Sequence, residues 1–162
     1  MIKKSLGQNF FINENLGNKI VEYVKQSNPD IIVEIGPGRG FFTKKLSQIS
    51  PQLLLVEKDD ELAKQLAESY PLVINIDFLE WDFEELEKYE GKKIIFFGSL
   101  PYNVSKPIIQ KILSSNFFNT TAYFIVQKEV AEKYTTLHPE NNVLSIRTQL
   151  FAKPIRLFNI SP

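Results

Sequence analysis

The chain has 162 residues and a mass of 18.7 kDa, enough for one domain that buries roughly 70% of the surface its unfolded chain exposes. A composition of 43% hydrophobic and 23% charged residues excludes a disordered or fibrous chain, and the absence of cysteine excludes a disulfide scaffold, a thiolate metal site and a cysteine nucleophile together. The 19 basic and 19 acidic residues balance to zero, which argues against a surface given over wholly to nucleic acid and leaves only local basic patches.

In chain order, Met1-Ile2-Lys3-Lys4 runs straight into polar Gly7-Gln8-Asn9, with no apolar stretch of the secretory kind. No later run approaches the ~18 apolar residues of a membrane span, so a cytoplasmic protein is expected. Asn13 can cap a helix that carries Leu16, Ile20, Val21 and Val24 on one face. Ile31–Ile35 is a β-branched run between Pro29-Asp30 and a glycine cluster, and reads as a buried strand. Leu53–Glu57, Leu72–Ile76, Lys93–Phe97 and Ala122–Val126 read as four more strands. Asp59 or Asp60 can cap a helix holding Leu62 and Leu66. Ser105 precedes Pro107, which suits a first-turn proline ahead of Ile108, Ile109, Ile112 and Leu113. Strands alternating with helices predict an α/β fold with a mostly parallel, doubly wound sheet. In such sheets ligands sit outside the carboxyl ends of the strands, at the switch point.

The chemistry-bearing residues fall at those ends. Glu34-Ile35-Gly36-Pro37-Gly38-Arg39-Gly40 follows the first strand. The dinucleotide pattern G-x-G-x-x-G needs a third glycine at position 41, which is Phe41, so a nicotinamide oxidoreductase is disfavoured. The turn suits a cofactor with an amino-acid head and a nucleoside tail, although a plain tight turn has the same composition. Glu57 ends the second strand, 21 residues past Gly36, where a carboxylate can accept both hydroxyls of a ribose. Asp77 follows the third strand and can accept from an adenine amino group, with Phe78 packing on the ring; a turn or cap is the plainer role for this aspartate.

Gly98-Ser99-Leu100-Pro101-Tyr102-Asn103 follows the fourth strand and is the most specific signal in the chain. Pro101 fixes φ and stiffens the loop, so that the Ser99 hydroxyl and the Leu100 carbonyl can aim at one point. Two acceptors aimed at an exocyclic amine turn its lone pair toward an electrophile, and acceptors that tighten in the transition state lower the barrier. Tyr102 can stack on a base taken out of its helix.

Together these segments resemble the ribosomal RNA adenine N6-dimethyltransferase family. Lys4–Phe10 is similar to its N-terminal signature, Glu34–Gly38 to its cofactor loop, and Val56-Glu57 to its ribose site. Asn75–Asp77 is similar to its adenine-end site, Ser99–Ser105 to its catalytic loop, and Val126–Glu132 to a further segment. Phe158 begins another. Leu100, Pro37 and the Gln127–Ala131 segment resemble the small-subunit branch more than the large-subunit, macrolide-resistance branch.

The resemblance implies a Rossmann-like methyltransferase fold and S-adenosylmethionine as cofactor. It implies cofactor contacts at Asn9, Phe11, Gly36, Gly38, Glu57, Asp77 and Ser99, and target-adenine work at Ser99, Leu100, Pro101 and Tyr102. The implied reaction methylates each of two adjacent adenines twice, in a hairpin near the 3′ end of small-subunit rRNA. Lys3, Lys4 and Lys106 are the expected RNA contacts, with Lys44, Lys45 and Lys111 on nearby helices. No metal and no membrane are expected, and a full-length protein is expected to be a monomer.

Two features depart from the family. Ser99 stands where the family has asparagine; its hydroxyl keeps one acceptor but is shorter. Family members are also longer, with a helical C-terminal domain that grips RNA. Residues 1–162 are therefore expected to be a truncated catalytic domain, lacking the last antiparallel strand and leaving the stretch near Phe151–Phe158 without a ladder partner. The competing expectation is a non-catalytic ribosome-assembly or RNA-binding factor that keeps the fold.

Overall fold

The computed structural model describes residues 13–50, 52–115, 120–136, 140 and 142–160. The chain divides into two compact units. One comprises Met1–Leu100 with Asn116–Ile125, the other Pro101–Ser115 with Val126–Pro162.

The first unit is built on a five-stranded sheet of β1 (Ile31–Ile35), β2 (Leu53–Glu57), β3 (Val73–Asn75), β4 (Ile94–Ser99) and β5 (Thr120–Ile125), in the order β3-β2-β1-β4-β5. All four pairings are parallel. Every residue of β1 and β2 is buried, which is why their sequences are apolar on both faces instead of alternating, interrupted only by Glu34 and Glu57 near their carboxyl ends. Phe96, Ile32 and Leu55 are fully buried at the centre, each worth about 1.5–3 kcal/mol of transfer free energy. The five predicted strands are all present. β4 runs two residues beyond its expected end, so Gly98 and Ser99 belong to the sheet and not to the loop.

Helix α1 (Glu14–Gln26) is capped as expected, with Asn13 Oδ1 accepting from the Leu16 N–H at 3.0 Å and Ile20, Val21 and Val24 buried. Helix α2 (Phe41–Leu46) follows the glycine turn and is clamped to α1. A Cβ on Gly17 would lie 2.7 Å from the Phe41 ring, and Lys45 reaches back to Glu14 and Asn18 while lying 5.2 Å above that ring. Lys45 is thus committed to packing two helices together. Phe42 turns inward against Phe97, with ring centroids 4.9 Å apart. Helix α3 (Asp60–Ala67) is capped by Asp59. A 3-10 helix (Glu84–Tyr89) leads into β4.

The second unit holds α4 (Tyr102–Leu113), α5 (Lys128–Thr135) and α6 (Val143–Phe151). The Tyr134 hydroxyl donates to the Lys106 carbonyl, and the Asn142 amide donates to the Lys133 carbonyl while its oxygen caps α6. The expected first-turn role of Pro107 is corrected here. The N–H groups of Val104 and Ser105 both donate to the Pro101 carbonyl, so the helix starts at Tyr102 and Pro107 falls in its interior. Of two proline signals six residues apart, the earlier one sets the start. Residues 152–160 form no helix or strand, and the described residues contain no antiparallel strand.

Candidate cofactor and catalytic site

In the first unit the chain leaves the sheet at neighbouring points. Ile35 pairs with Gly98, so Gly36 and Ser99 step off β1 and β4 side by side. From there the connections wind in opposite senses, toward β2 and β3 on one hand and β5 on the other, which makes this the switch point of the sheet.

The glycine turn is dictated by backbone shape. Gly36 has φ +63°, and its N–H donates to the Val56 carbonyl at 2.9 Å. A Cβ built on Gly36 would meet nothing within 4 Å, so the backbone faces open space that a ligand can approach closely. Phe41, which breaks the dinucleotide pattern, spends its ring on α1.

Glu57 stitches the turn to the end of β2. Its Oε2 accepts the Gly38 N–H and its Oε1 the Asp59 N–H, both at 2.9 Å. The residue is 3% exposed. A carboxylate offers about four acceptor positions, so capacity remains for two hydroxyls. Asn75, given no role of its own within the Asn75–Asp77 segment, braces this point by donating from Nδ2 to the Glu57 carbonyl at 3.0 Å. Asp77 takes the plainer of its two anticipated roles, that of a turn residue. Its Oδ1 accepts the Leu79 N–H at 2.9 Å and fixes the turn, while its Oδ2 faces the ammonium of Lys58. Phe78 does not meet its expectation. It is 4% exposed and lies edge-on to Trp81, Phe83 and Phe96 at 5.6–6.1 Å, because the Asp77 turn rotates it into the core, away from any ligand.

Glu34, which heads the glycine-turn segment, is not among the expected site residues. It is buried on β1, and neither its Oε2 nor the Thr43 hydroxyl of α2 completes a hydrogen bond of good geometry. Burial pushes its carboxyl up to about 8; the Thr43 hydroxyl pulls it back and the Glu57 carboxylate adds to the rise.

At the end of β4, Ser99 is half-buried and pairs with Ile125, whose carbonyl accepts the Leu100 N–H at 2.9 Å. Leu100 is buried and folds back over the β1–β4 seam. A Cβ on Gly98 would come within 2.7 Å of Leu100 Cδ2 and 3.2 Å of the Ile35 carbonyl, so glycine makes this fold-back possible. The chain passes into the second unit after Leu100. There Pro101, at φ −59°, caps α4, and Tyr102 opens it with 61% of its surface exposed.

The first unit therefore gathers Gly36, Gly38, Glu57, Asp77, Ser99 and Leu100 at the carboxyl ends of four strands. Pro101, Tyr102 and exposed Lys106 stand at the start of α4. Asn9, Phe11, Lys3, Lys4 and His138 lie outside the described residues. Among the described residues no helix is long and apolar enough to cross a membrane, and no three His, Cys, Asp or Glu residues are grouped to hold a metal ion.

A family model described as ribosomal RNA adenine dimethylase matches residues 1–160. Over 140 residues the chain is 41% identical to ribosomal RNA small subunit methyltransferase A of Francisella tularensis, covering 83% of this chain and 53% of that protein. The fold is similar to the crystal structure of the 23S rRNA methyltransferase ErmE, with TM-score 0.67 and 27% identity over 87% of this chain and 57% of that one. It is also similar to a dimethyladenosine transferase from Plasmodium falciparum, with TM-score 0.68 and 25% identity over 88% and 52%. The chain spans about half the length of the curated relatives it matches. With the glycine turn, the two acids and the Ser-Leu-Pro-Tyr segment all at the switch point or directly after it, the chain belongs to the ribosomal RNA adenine dimethylase family.

Proposed function

We propose that this chain binds S-adenosylmethionine at the carboxyl ends of β1, β2 and β3 and serves methylation of adenine N6 in small-subunit rRNA, at two adjacent adenines of a hairpin near the 3′ end. The observation that carries the reading is the placement of Gly36, Glu57, Asp77 and Ser99 on consecutive strand ends around one switch point. Open backbone at Gly36 suits the amino-acid head of the cofactor, and the remaining acceptor capacity of Glu57 suits its ribose. Bound there, the cofactor supplies a methyl group on a positively charged sulfur.

The protein's own residues do the rest. An aryl amine is a weak nucleophile because its lone pair is delocalised into the ring. The Ser99 hydroxyl and the Leu100 carbonyl accept from the amine as it pyramidalises, an interaction stronger in the transition state than in the ground state. Tyr102 offers an exposed ring for stacking, worth ~1–3 kcal/mol per base. Lys106, with Lys3 and Lys4, meets phosphates, so RNA binding weakens with salt.

The test is to incubate the protein with undermethylated small subunits and methyl-labelled cofactor, then digest the RNA to nucleosides. Label in N6,N6-dimethyladenosine is expected. Tight binding of subunits with no transferred label overturns the enzymatic reading in favour of an assembly factor.

A further inference from the structure

One side chain at the proposed cofactor site has no part in the proposed mechanism. Lys58 sits between the two acids in sequence and space. Its backbone is anchored, since Asn75 Nδ2 bonds the Glu57 carbonyl at 3.0 Å and reaches the Lys58 carbonyl at 3.5 Å. Its side chain is 63% exposed and lies across to Asp77, where the ammonium meets Oδ2, the oxygen not engaged by the Leu79 N–H. Asp77 chiefly, with Glu80 behind it, holds the Lys58 ammonium above the ordinary lysine value.

We propose that Lys58 sets the affinity of the adenosyl site, its ammonium competing with the exocyclic amine of the cofactor's base for the Asp77 carboxylate. This rests on the reading that Glu57 and Asp77 hold the ribose and the base. A hydrogen-bond donor that takes the position on Oδ2 held by the ammonium must move it aside, and the four-carbon stem is long and flexible enough to swing. Glu80, already part of the negative field at Lys58, favours the displaced charge. Exposed ion pairs are weak, so the competition costs a few-fold in affinity and not orders of magnitude. It is also screened by salt. The arrangement keeps the carboxylate satisfied when no ligand is bound and makes adenosyl affinity depend on ionic strength.

The experiment is calorimetric titration of S-adenosylhomocysteine, which carries no sulfonium charge, into the wild-type chain, Lys58→Met, Asp77→Asn and the double variant. Methionine keeps an apolar stem and removes the charge. Lys58→Met is expected to tighten binding about two- to fivefold at low salt, with the gain shrinking as salt rises. In the Asp77→Asn background the same change is expected to do nothing. Equal or weaker binding by Lys58→Met, or the same gain in both backgrounds, overturns the competition while leaving the cofactor reading intact. If Asp77→Asn binds as well as wild type, or the wild-type chain does not bind at all, the assignment of Asp77 falls and the competition falls with it.

Discussion

In the proposed reaction Ser99 carries the heaviest chemical demand of any single residue, because it ends β4 beside Gly36 with only one side-chain oxygen to offer. Ser99→Ala is expected to lower methyl transfer on the order of 10- to 100-fold with the fold intact, measured as labelled dimethyladenosine per unit time. Unchanged turnover would remove the hydroxyl from the mechanism. Glu34 makes a separate demand. Its carboxyl titrates near 8 in the folded chain against 4.5 when free, so the folded state keeps a proton that the unfolded state has released. Stability is therefore full below 4.5 and declines as pH rises toward about 8. Thermal melts across that window should show a falling midpoint for wild type and a flatter profile for Glu34→Gln; parallel profiles would contradict a buried, protonated Glu34. At this scale the positions of Glu57 and Asp77 were legible, because a strand end fixes where an acid at or just after it stands. Phe78 and Pro107 were not. The direction of a side chain after a turn, and the choice between two helix starts, are decided by packing and hydrogen bonds that a local pattern does not contain.

Among the elements, α4 and the β4 end carry visible local costs. Pro107 in the interior of α4 removes a helix hydrogen-bond donor. Pro107→Ala is expected to stabilise the chain by about 1–3 kcal/mol and to raise the thermal midpoint. A lower midpoint would mean that the proline packs in a way its helix position does not suggest. Gly98 shows the opposite case. Gly98→Ala pushes a methyl group against Leu100 and the Ile35 carbonyl, and is expected to cost about 1–3 kcal/mol in chemical denaturation. The strands themselves were readable from sequence because both faces of β1 and β2 are covered, so apolar residues run without alternation up to Glu34 and Glu57. The role of Gly98 was not readable, since its neighbour Ile35 is 63 residues away in the chain.

For the whole molecule, the distribution of apolar surface stands out. The large hydrophobic residues exposed among the described residues are Tyr102, Val143, Ile146, Leu150, Phe151, Ile155, Leu157 and Ile160, all in the second unit. Helix α6 is inverted: Ser145 and Thr148 are buried, while Val143, Ile146 and Leu150 form an outward stripe at helical spacing. With no net charge to oppose contact, such a surface favours association. Light scattering of this chain is expected to show concentration-dependent self-association that a combined Ile146→Ser and Leu150→Ser variant reduces. The inversion of α6 was not legible in sequence, because only tertiary neighbours decide which face is covered.

The account as a whole stands on the carboxyl ends of β1 through β4 being the seat of an adenosyl cofactor. Amide chemical-shift mapping during titration with S-adenosylhomocysteine tests this most directly. The account predicts the largest shifts at Gly36, Gly38, Asp59, Asp77 and Ser99, with Asp30 and Lys93 at the opposite ends of the strands unmoved. Shifts concentrated at Asp30 and Lys93, or none at saturating ligand, would contradict it.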